Sequence, residues 1–163
     1  MPDNQIAIVP FRDEFAGAFE SLNRAWLEQF DLLEEGDLPY LLDPRGAIIN
    51  KGGVVLCAVQ DDQVIGTVSV IRHSGSTFEL AKLAVSPAAR GHGLGRRLTQ
   101  AAIDFALSAG AESLFLSSNH QLREAIRLYE SLGFKPSAPP PGVVAYATAD
   151  VFMQLALKEL QEP

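Results

Sequence analysis

Short apolar runs with alternating or β-branched character predict six strands along the chain. In order, they are Ile6 to Val9, Val54 to Val59, Val64 to Ile71, Phe78 to Val85, Ser113 to Ser118 and Asp150 to Leu157. The polar residues 60 to 63 form a short hairpin connection, and Gly75 with Ser76 marks the next turn. Because strands that follow one another usually pair, the second, third and fourth strands predict an antiparallel meander.

Apolar residues spaced by three and four predict three amphipathic helices. Their apolar stripes are Phe15, Phe19, Leu22, Trp26 and Phe30; Leu94, Leu98, Ala101, Phe105 and Ala109; and Leu122, Ala125, Ile126, Tyr129 and Leu132. Gly110 and Gly133 suit the C-terminal ends of the second and third helices, and Asn119 suits the N-cap of the third. The second helix joins two strands, which predicts a right-handed parallel crossover.

Two segments give weaker patterns. A short helix is predicted for residues 32 to 42, ending before Asp43-Pro44, because the residue before a proline avoids the helical region. Ile48 and Ile49 fit either a short strand or a packed loop, and the pattern does not decide between them.

Composition limits the class of protein. The 163 residues are 47% hydrophobic and 20% charged, and we expect residues 1–163 to form a single domain. No apolar run approaches the ~18 residues of a membrane span, and residues 1 to 5 lack the pattern of a signal peptide. The single cysteine, Cys57, cannot form an internal disulfide and is most simply a buried hydrophobe. We therefore predict a cytoplasmic protein without a membrane partner.

The charge is negative overall but locally positive. The formal net charge of -7 argues against nucleic acid as a partner, because phosphate neutralisation dominates that affinity. Arg90, Arg96 and Arg97 nevertheless form a cluster without an acid among residues 90 to 97, which suits a phosphate-bearing ligand. Arg97 also fits a solvated helix start.

This cluster frames a glycine-rich loop, R-G-H-G-L-G from Arg90 to Gly95, between a predicted strand and a helix. Glycine lets backbone N–H groups approach a ligand closely, and a helix N-terminus adds unpaired donors with a partial positive charge. The arrangement therefore predicts a phosphate site. The loop lacks the Lys-Ser/Thr ending of a Walker sequence, and its glycine spacing is not that of the dinucleotide fingerprint.

Three motifs resemble the GNAT superfamily of N-acetyltransferases. Arg90, Gly93 and Gly95 match its R-x-x-G-x-G signature, and the segment from Ala125 to Phe134 matches A-x-x-L-Y-x-x-x-G-F. The strand start Glu79-Leu80-Ala81-Lys82 looks like that of some bacterial subgroups. The resemblance covers residues 66 to 136 well. It implies an α/β (α+β) fold with a mixed, mostly antiparallel central sheet, in which a parallel strand-helix-strand unit splays apart to admit acetyl-coenzyme A.

The resemblance also implies where the ligands bind. The implied acetyl-coenzyme A residues are Leu83, Ala84, Val85, Arg90, Gly91, His92, Gly93, Leu94, Gly95, Arg96, Asn119 and Tyr129. The implied acceptor-pocket residues are Trp26, Phe30 and Tyr40, and Tyr146 is a further candidate from its place between the proline-rich loop and the last strand. The spacing of His73, His92 and His120 is not that of metal ligands, so we predict no metal. We expect the His92 side chain to face solvent.

Acyl transfer to an amine requires a base and an acid. The attacking amine must lose a proton, and coenzyme A leaves as a thiolate. We expect Glu79 to act as the base through water, because simple alternation puts it on one face with Leu83 and Val85 in apolar surroundings. A salt-bridged or solvated Glu79 is the alternative. Tyr129 is the candidate acid, with a buried core tyrosine as its alternative.

The sequence therefore predicts an enzyme that moves an acetyl group from acetyl-coenzyme A to a primary amine by direct attack in a ternary complex. The alternative is a non-catalytic sensor or regulatory module that binds acyl-coenzyme A. The acceptor is a small-molecule or peptide amine whose identity the sequence does not determine. The sequence also leaves open whether the protein forms a homodimer.

Overall fold

The computed structural model describes residues 5–143 and 146–157. Seven strands form one sheet in the order β1-β2-β3-β4-β5-β7-β6. The strands are β1 (Ala7–Pro10), β2 (Val54–Gln60), β3 (Gln63–Ser74), β4 (Thr77–Val85), β5 (Ser113–Ser118), β6 (Lys135–Pro136) and β7 (Val151–Ala156). The pair β4–β5 is parallel and every other neighbouring pair is antiparallel, so the predicted meander and parallel crossover are confirmed.

Five α-helices flank the sheet in the described residues. They are α1 (Ala16–Gln29), α2 (Leu38–Leu42), α3 (Pro44–Ala47), α4 (Leu94–Ser108) and α5 (Arg123–Ser131). Single 3-10 turns cover Asp13–Phe15, Glu35–Asp37, Ile49–Lys51 and Pro87–Ala89. None of these helices is both long and apolar enough to cross a membrane.

The region between α1 and β2 differs from the prediction. The helix expected over residues 32 to 42 is divided into the 3-10 turn and α2, with Pro39 near the start of α2, where a missing N–H is tolerated. Asp43 then caps the short α3 by accepting a hydrogen bond from the Gly46 N–H. Ile48 is fully buried directly before a 3-10 turn, so residues 48 and 49 form no strand.

Apolar residues pack on both faces of the sheet. Val68, Val70 and Leu80 face α4 and α5, and Ile71 belongs to a second cluster that covers the opposite face with α1 and α2. Cys57 lies in this second cluster with no exposed surface, and burial raises the pKa of its thiol to about 12. Cys57 is therefore an inert core residue, as predicted.

A β-bulge in β4 changes which side chains share a face. Ala81 pairs with Ser69 and Ala84 with Thr67, so two residues of β4, Lys82 and Leu83, lie opposite one residue of β3. Lys82 adopts a left-handed backbone conformation with φ of 55°. Bulges insert one unpaired residue and shift the alternation of the strand. Side chains before and after residue 82 therefore follow opposite alternation patterns.

Candidate functional site

A groove opens where β4 and β5 separate. The parallel pairing of these strands covers only three residue pairs and stops at Glu79 and Phe115, among the described residues. Two cavities lie along the groove, the loop cavity of about 310 Å³ beside the glycine-rich loop and the strand cavity of about 120 Å³ beside β4 and β5. Trp26, Leu83, Leu122 and Tyr129 line both, so these four residues mark their junction.

The backbone conformation of the glycine-rich loop explains its glycines. Gly91 and Gly93 have φ of 84° and 76°, which side-chain-bearing residues rarely adopt. A Cβ atom on either would meet no heavy atom of the described protein within 4 Å. Both glycines line the loop cavity, so a Cβ there would take up space open to a ligand rather than clash with the protein.

Helix α4 begins at Leu94, with Gly93 as its N-cap. The helix therefore starts within the glycine-rich loop, whereas the sequence predicted a start after Gly95. The first N–H of the helix that bonds a helical carbonyl is that of Arg97, which donates to Gly93. The N–H groups of Leu94, Gly95 and Arg96 precede it and belong to the unpaired donors of a helix start. No acidic residue lies in the first turn, so the end of α4 is suited to an anion.

The three arginines around this loop have different partners. The Arg90 guanidinium lies 4.8 Å from the centre of the Trp26 ring, and its Nε donates to the Val85 carbonyl. Arg96 donates to the Ser131 hydroxyl of α5, and Arg90 and Arg96 both line the loop cavity. Arg97 instead donates to the Ile6 carbonyl beside β1 and lines neither cavity of the groove. The alternative interpretation of Arg97, an exposed residue of a solvated helix start, therefore fits better.

Two of the implied ligand residues lie outside the cavity walls. His92 is exposed and lines neither cavity, as expected for a solvent-facing side chain. Ala84 is 2% exposed and shares the face of Thr67, so its side chain also lines neither cavity. Leu83 and Val85 do line the loop cavity, and they reach it through the bulge at residue 82.

Tyr129 lies at the junction of the two cavities, on the second turn of α5. Its side chain is 7% exposed and packs against Phe134, with the ring centres 5.7 Å apart. Burial raises the pKa of its hydroxyl well above the ordinary value for tyrosine, which keeps the hydroxyl protonated at neutral pH. Tyr129 is thus a buried tyrosine that still forms part of the wall of both cavities.

Glu79 lines the strand cavity, but it does not lie beside Leu83 and Val85, where simple alternation predicts it. Leu83 and Val85 pack with the cluster under α4, whereas Glu79 lies on the opposite face with Ala81, because the bulge at Lys82 intervenes. The expectation that Glu79 shares a face with Leu83 and Val85 is therefore wrong. Its carboxylate is 2.7 Å from Nε2 of His73 and the residue is 6% exposed. Glu79 is a buried carboxylate with a polar partner.

A second buried pair stands beside it. Nζ of Lys82 lies 2.5 Å from Oδ1 of Asp37, and the two side chains are 6% and 5% exposed. The Lys82 ammonium also lies 5.7 Å from the centre of the Tyr40 ring and 5.3 Å from that of Tyr146. This pair was not predicted from the sequence. A lysine inside a largely apolar strand was the available signal, since buried lysines require a partner.

Buried polar residues hold the bulge that carries Lys82. The Thr67 hydroxyl donates to the Lys82 carbonyl at 3.0 Å, and Nδ2 of Asn23 donates to Thr67 and to the Phe19 carbonyl. Asn23 and Thr67 are 1% and 0% exposed. A left-handed lysine backbone is costly, so these hydrogen bonds help to fix it. Neither residue was singled out from the sequence.

The far wall of the strand cavity is fastened by Glu34. Its carboxylate accepts hydrogen bonds from the backbone N–H groups of Ala147 and Thr148 and from the Thr148 hydroxyl. Burial opposes the charged form, but these hydrogen bonds outweigh it and lower the pKa of the Glu34 carboxyl. Residues 146 to 149 are therefore attached to the turn that precedes α2.

Asn119 contributes to the same wall. Its Nδ2 donates to the Thr148 carbonyl and its Oδ1 accepts from the Gln121 N–H. The prediction that Asn119 caps the last helix is wrong, because the N-cap of α5 is Leu122 and Asn119 caps the turn before it. The side chain still lines the strand cavity, so its amide holds the wall beside the groove.

The four residues proposed for the acceptor pocket differ in position. Trp26 lines both cavities and Tyr146 lines the strand cavity. Tyr40 reaches this region through its contact with Lys82, and burial, followed by the charge of Glu79, raises the pKa of Tyr40 and Tyr146. Phe30 packs on Trp26 with ring centres 5.4 Å apart and lines neither cavity.

Titratable side chains are numerous at the groove, but they do not cluster as metal ligands. Residues 5–143 and 146–157 contain no group of three or more His, Cys, Asp or Glu side chains arranged to hold a metal ion. The absence of a metal from the reaction stays a prediction.

Comparisons with known proteins agree with this geometry. A model of the acetyltransferase (GNAT) family matches residues 15–134. An acetyltransferase of the GNAT family from Staphylococcus aureus Mu50 has the same fold, with a TM-score of 0.87 and 18% identity over 94% of this chain and 100% of that one. The structure of yncA from Salmonella typhimurium with its cofactor acetyl-CoA has a TM-score of 0.78 and 28% identity over 98% of both chains.

Among curated relatives, mycothiol acetyltransferase of Renibacterium salmoninarum is 33% identical over 103 residues, or 60% of this chain. The match spans 30% of that relative, so the chain covers less than a third of its length.

Proposed function

The chain belongs to the acetyltransferase (GNAT) family, and we propose that it transfers an acetyl group from acetyl-coenzyme A to a primary amine by direct attack in a ternary complex. One observation carries the proposal. An anion cradle in the loop cavity and a buried carboxylate in the strand cavity open into one groove, and Tyr129 stands at their junction.

The loop cavity fits acetyl-coenzyme A. Open space above Gly91 and Gly93, the first N–H groups of α4 and the Arg96 guanidinium provide donors for a pyrophosphate. Asn119, Leu83 and Val85 line the way from this cradle to the strand cavity and would hold the pantetheine arm and the acetyl end. The phosphate-binding residues are thus local in sequence and adjacent to the proposed reaction centre.

The proposed chemistry divides between two side chains. Bound acetyl-coenzyme A supplies an activated acyl group: the C–N bond to the amine forms, the C–S bond breaks and the thiolate leaves. Glu79 receives the proton of the attacking amine, directly or through water. Tyr129, protonated at neutral pH, donates its proton to the departing sulfur. A cationic amine loses two protons: Glu79 takes the first, and the second, released once the C–N bond forms, replaces the proton that Tyr129 gives to sulfur. No covalent acyl-enzyme is required.

Charge favours an amine as the acceptor. Among the described residues, Asp37, Glu79 and Lys82 are the acidic and basic side chains that line the strand cavity, two carboxylates against one ammonium. Lys82 is paired with Asp37, so the carboxylate of Glu79 is the charge not balanced by another permanent ion in this wall. A cationic small-molecule or peptide amine complements it.

The proposal also covers the domain organisation, the cellular location and the partners of the protein. We infer that residues 1–163 act as one domain in the cytoplasm, without a metal, a nucleic acid or a membrane as partner. The acidic net charge and the single, buried cysteine support this inference. A homodimer is compatible with it.

Mass spectrometry of a pooled acceptor library tests the function. The protein is incubated with acetyl-coenzyme A and a mixture of amines, amino acids, polyamines and peptides, beside a Gly93→Val variant as a cofactor-binding control. We expect one class of amine to gain an acetyl group with the wild-type protein alone. Tight binding of acetyl-coenzyme A without any product would favour the alternative of a non-catalytic acyl-coenzyme A sensor, and it would contradict the proposal.

A further inference from the structure

We propose that His73 is a positioning residue for Glu79: its imidazole holds one carboxylate oxygen so that the other is presented to the strand cavity. The inference rests on the proposed function, because it gives His73 a task in the step that Glu79 performs. His73 lies in β3, outside the three motifs that carry the sequence resemblance, and it lines neither cavity of the groove.

Three adjacent strands fix the geometry of this pair. Glu79 in β4 is in register with Ile71 in β3, and His73 is the extra residue of a bulge in β3 between Arg72 and Ser74, close enough for its imidazole to reach the carboxylate. On the other side, Glu79 is in register with Phe115 of β5, and the Phe115 ring centre lies 5.4 Å from that of the imidazole at an angle of 40°. The imidazole is therefore held between a carboxylate and an aromatic ring, which restricts its rotation.

Glu79 is the more buried member of the pair, and His73 is the more exposed one. The Glu79 side chain is 8% exposed and that of His73 is 25% exposed. Within the described part of the chain, His73 provides the hydrogen bond to Glu79, at 2.7 Å to Oε1. A buried carboxylate without any donor is costly. The second oxygen, Oε2, is consequently the one available to an amine or to a water that relays its proton.

The choice of partner is informative, because a permanent cation is close by on the same strand. Lys82 is three residues from Glu79, but its ammonium is engaged by Asp37 at 2.5 Å and lies beside the rings of Tyr40 and Tyr146. An ammonium against Glu79 would favour the ionised carboxylate and weaken it as a base. The imidazole of His73 instead provides a directional hydrogen bond that orients the carboxylate.

The chain contains a natural control for this arrangement. Nδ1 of His120 lies 2.5 Å from Oδ2 of Asp150, which is also a histidine–carboxylate pair. These side chains are 71% and 46% exposed, and neither lines the groove. A substitution of His120 therefore removes the same type of hydrogen bond at a site where no proton transfer is proposed.

The experiment compares His73→Phe, His73→Gln and His120→Phe with the wild-type protein, using an amine identified in the pooled assay. We expect His73→Phe to lower kcat by on the order of 10- to 100-fold, because misplacing a catalytic group by about 1 Å is that costly. The KM for acetyl-coenzyme A should not change. His73→Gln, whose amide can still donate to Oε1, should recover most of kcat, and His120→Phe should keep it.

A double-mutant cycle separates positioning from a merely structural role. In a Glu79→Gln background, His73→Phe should cause no further loss, because a positioning residue acts only through its carboxylate. If His73→Phe does not fold, His73→Ala with added imidazole replaces it, and the imidazole should restore kcat.

The outcomes are distinguishable. A wild-type protein that acetylates no amine overturns the proposed function and this inference with it. An active wild type whose His73→Phe variant has an unchanged kcat overturns this inference alone. This inference is also overturned if His73→Phe lowers kcat by the same factor in the wild-type protein and in the Glu79→Gln variant.

Discussion

The two cavities of the groove are built in different ways. The loop cavity takes its main-chain donors and two arginines from one contiguous stretch, residues 90 to 96, and the rest of its wall from other segments. The strand cavity depends on side chains from separate segments, among them Asp37, Glu79, Asn119 and Tyr146. A phosphate cradle needs only backbone donors and space, which a short glycine-rich sequence provides. A buried set of charges needs partners, which distant segments must bring.

This difference predicts different consequences of substitution. Around the loop cavity, the first N–H groups of α4 have no helical partner and the glycines border open space, so changes there should alter affinity more than folding. Around the strand cavity, the carboxylates of Glu34, Asp37 and Glu79 already have partners within the protein. Changes there should alter stability and catalysis together.

The largest expected effect is at Gly93. Gly93→Val fills the cradle and should weaken acetyl-coenzyme A binding by about 100-fold or more, since each lost hydrogen bond to a charged group is worth about 1.5–3 kcal/mol. Gly110→Val is the matched control, because Gly110 also has a positive φ, 84°, and open space around it, and it lines neither cavity. Calorimetry should show equal thermal destabilisation of both variants but lost affinity in Gly93→Val alone. Normal affinity in a folded Gly93→Val protein would sink the phosphate-cradle assignment.

Breaking the buried ion pair tests the other cavity. Asp37→Leu leaves the Lys82 ammonium buried without its carboxylate, so the free energy of unfolding should fall by about 3–5 kcal/mol. The double variant Asp37→Leu/Lys82→Met should recover most of that loss, because no uncompensated charge remains. Urea denaturation measures both values. A double variant no more stable than the single one would contradict the view that the pair matters through its charges.

Glu79→Gln tests the base while preserving shape. We expect kcat to fall by about 100-fold at neutral pH, the usual contribution of a general base. Activity should return in part at high pH, where more of the amine is already deprotonated. Rates measured from pH 6 to 10 check this. A pH–rate profile identical to that of the wild type would clear Glu79 of the role.

The smallest effect is expected for Tyr129→Phe. The ring still packs on Phe134, so the affinity for acetyl-coenzyme A should stay constant, while kcat falls by roughly tenfold through loss of the acid. Burial raises the pKa of Tyr129, so the hydroxyl stays protonated up to pH 10 and does not cause any decline in rate on the alkaline side. The variant should therefore keep the shape of the wild-type pH profile. Equal turnover in both proteins would remove the assignment of Tyr129 as the acid.

Errors in the predictions from sequence arose where distant contacts overrule a local pattern. Alternation put Glu79 on the face of Leu83, but the bulge at Lys82 reversed that relation, and the bulge depends on hydrogen bonds to Thr67 in the neighbouring strand. Asn119 has the right residue type for a helix cap, but α5 begins only after Leu122. The Asn119 oxygen therefore caps the preceding turn at Gln121, while its amide nitrogen donates to the Thr148 carbonyl 29 positions away. Local propensity is a weak guide where such contacts compete.

What the sequence by itself determined is the scaffold and the loop cavity. Periodicity located the strands of the meander, α4 and α5, because neighbours along the chain supply the hydrogen bonds of these elements. The glycine content located the loop between β4 and α4. Only the tertiary structure decided the strand cavity. Asp37 and Lys82 are 45 positions apart and Glu34 and Thr148 are 114 apart. Buried charges need partners, and here only folding brings those partners close, so no local pattern in the sequence predicts these pairs.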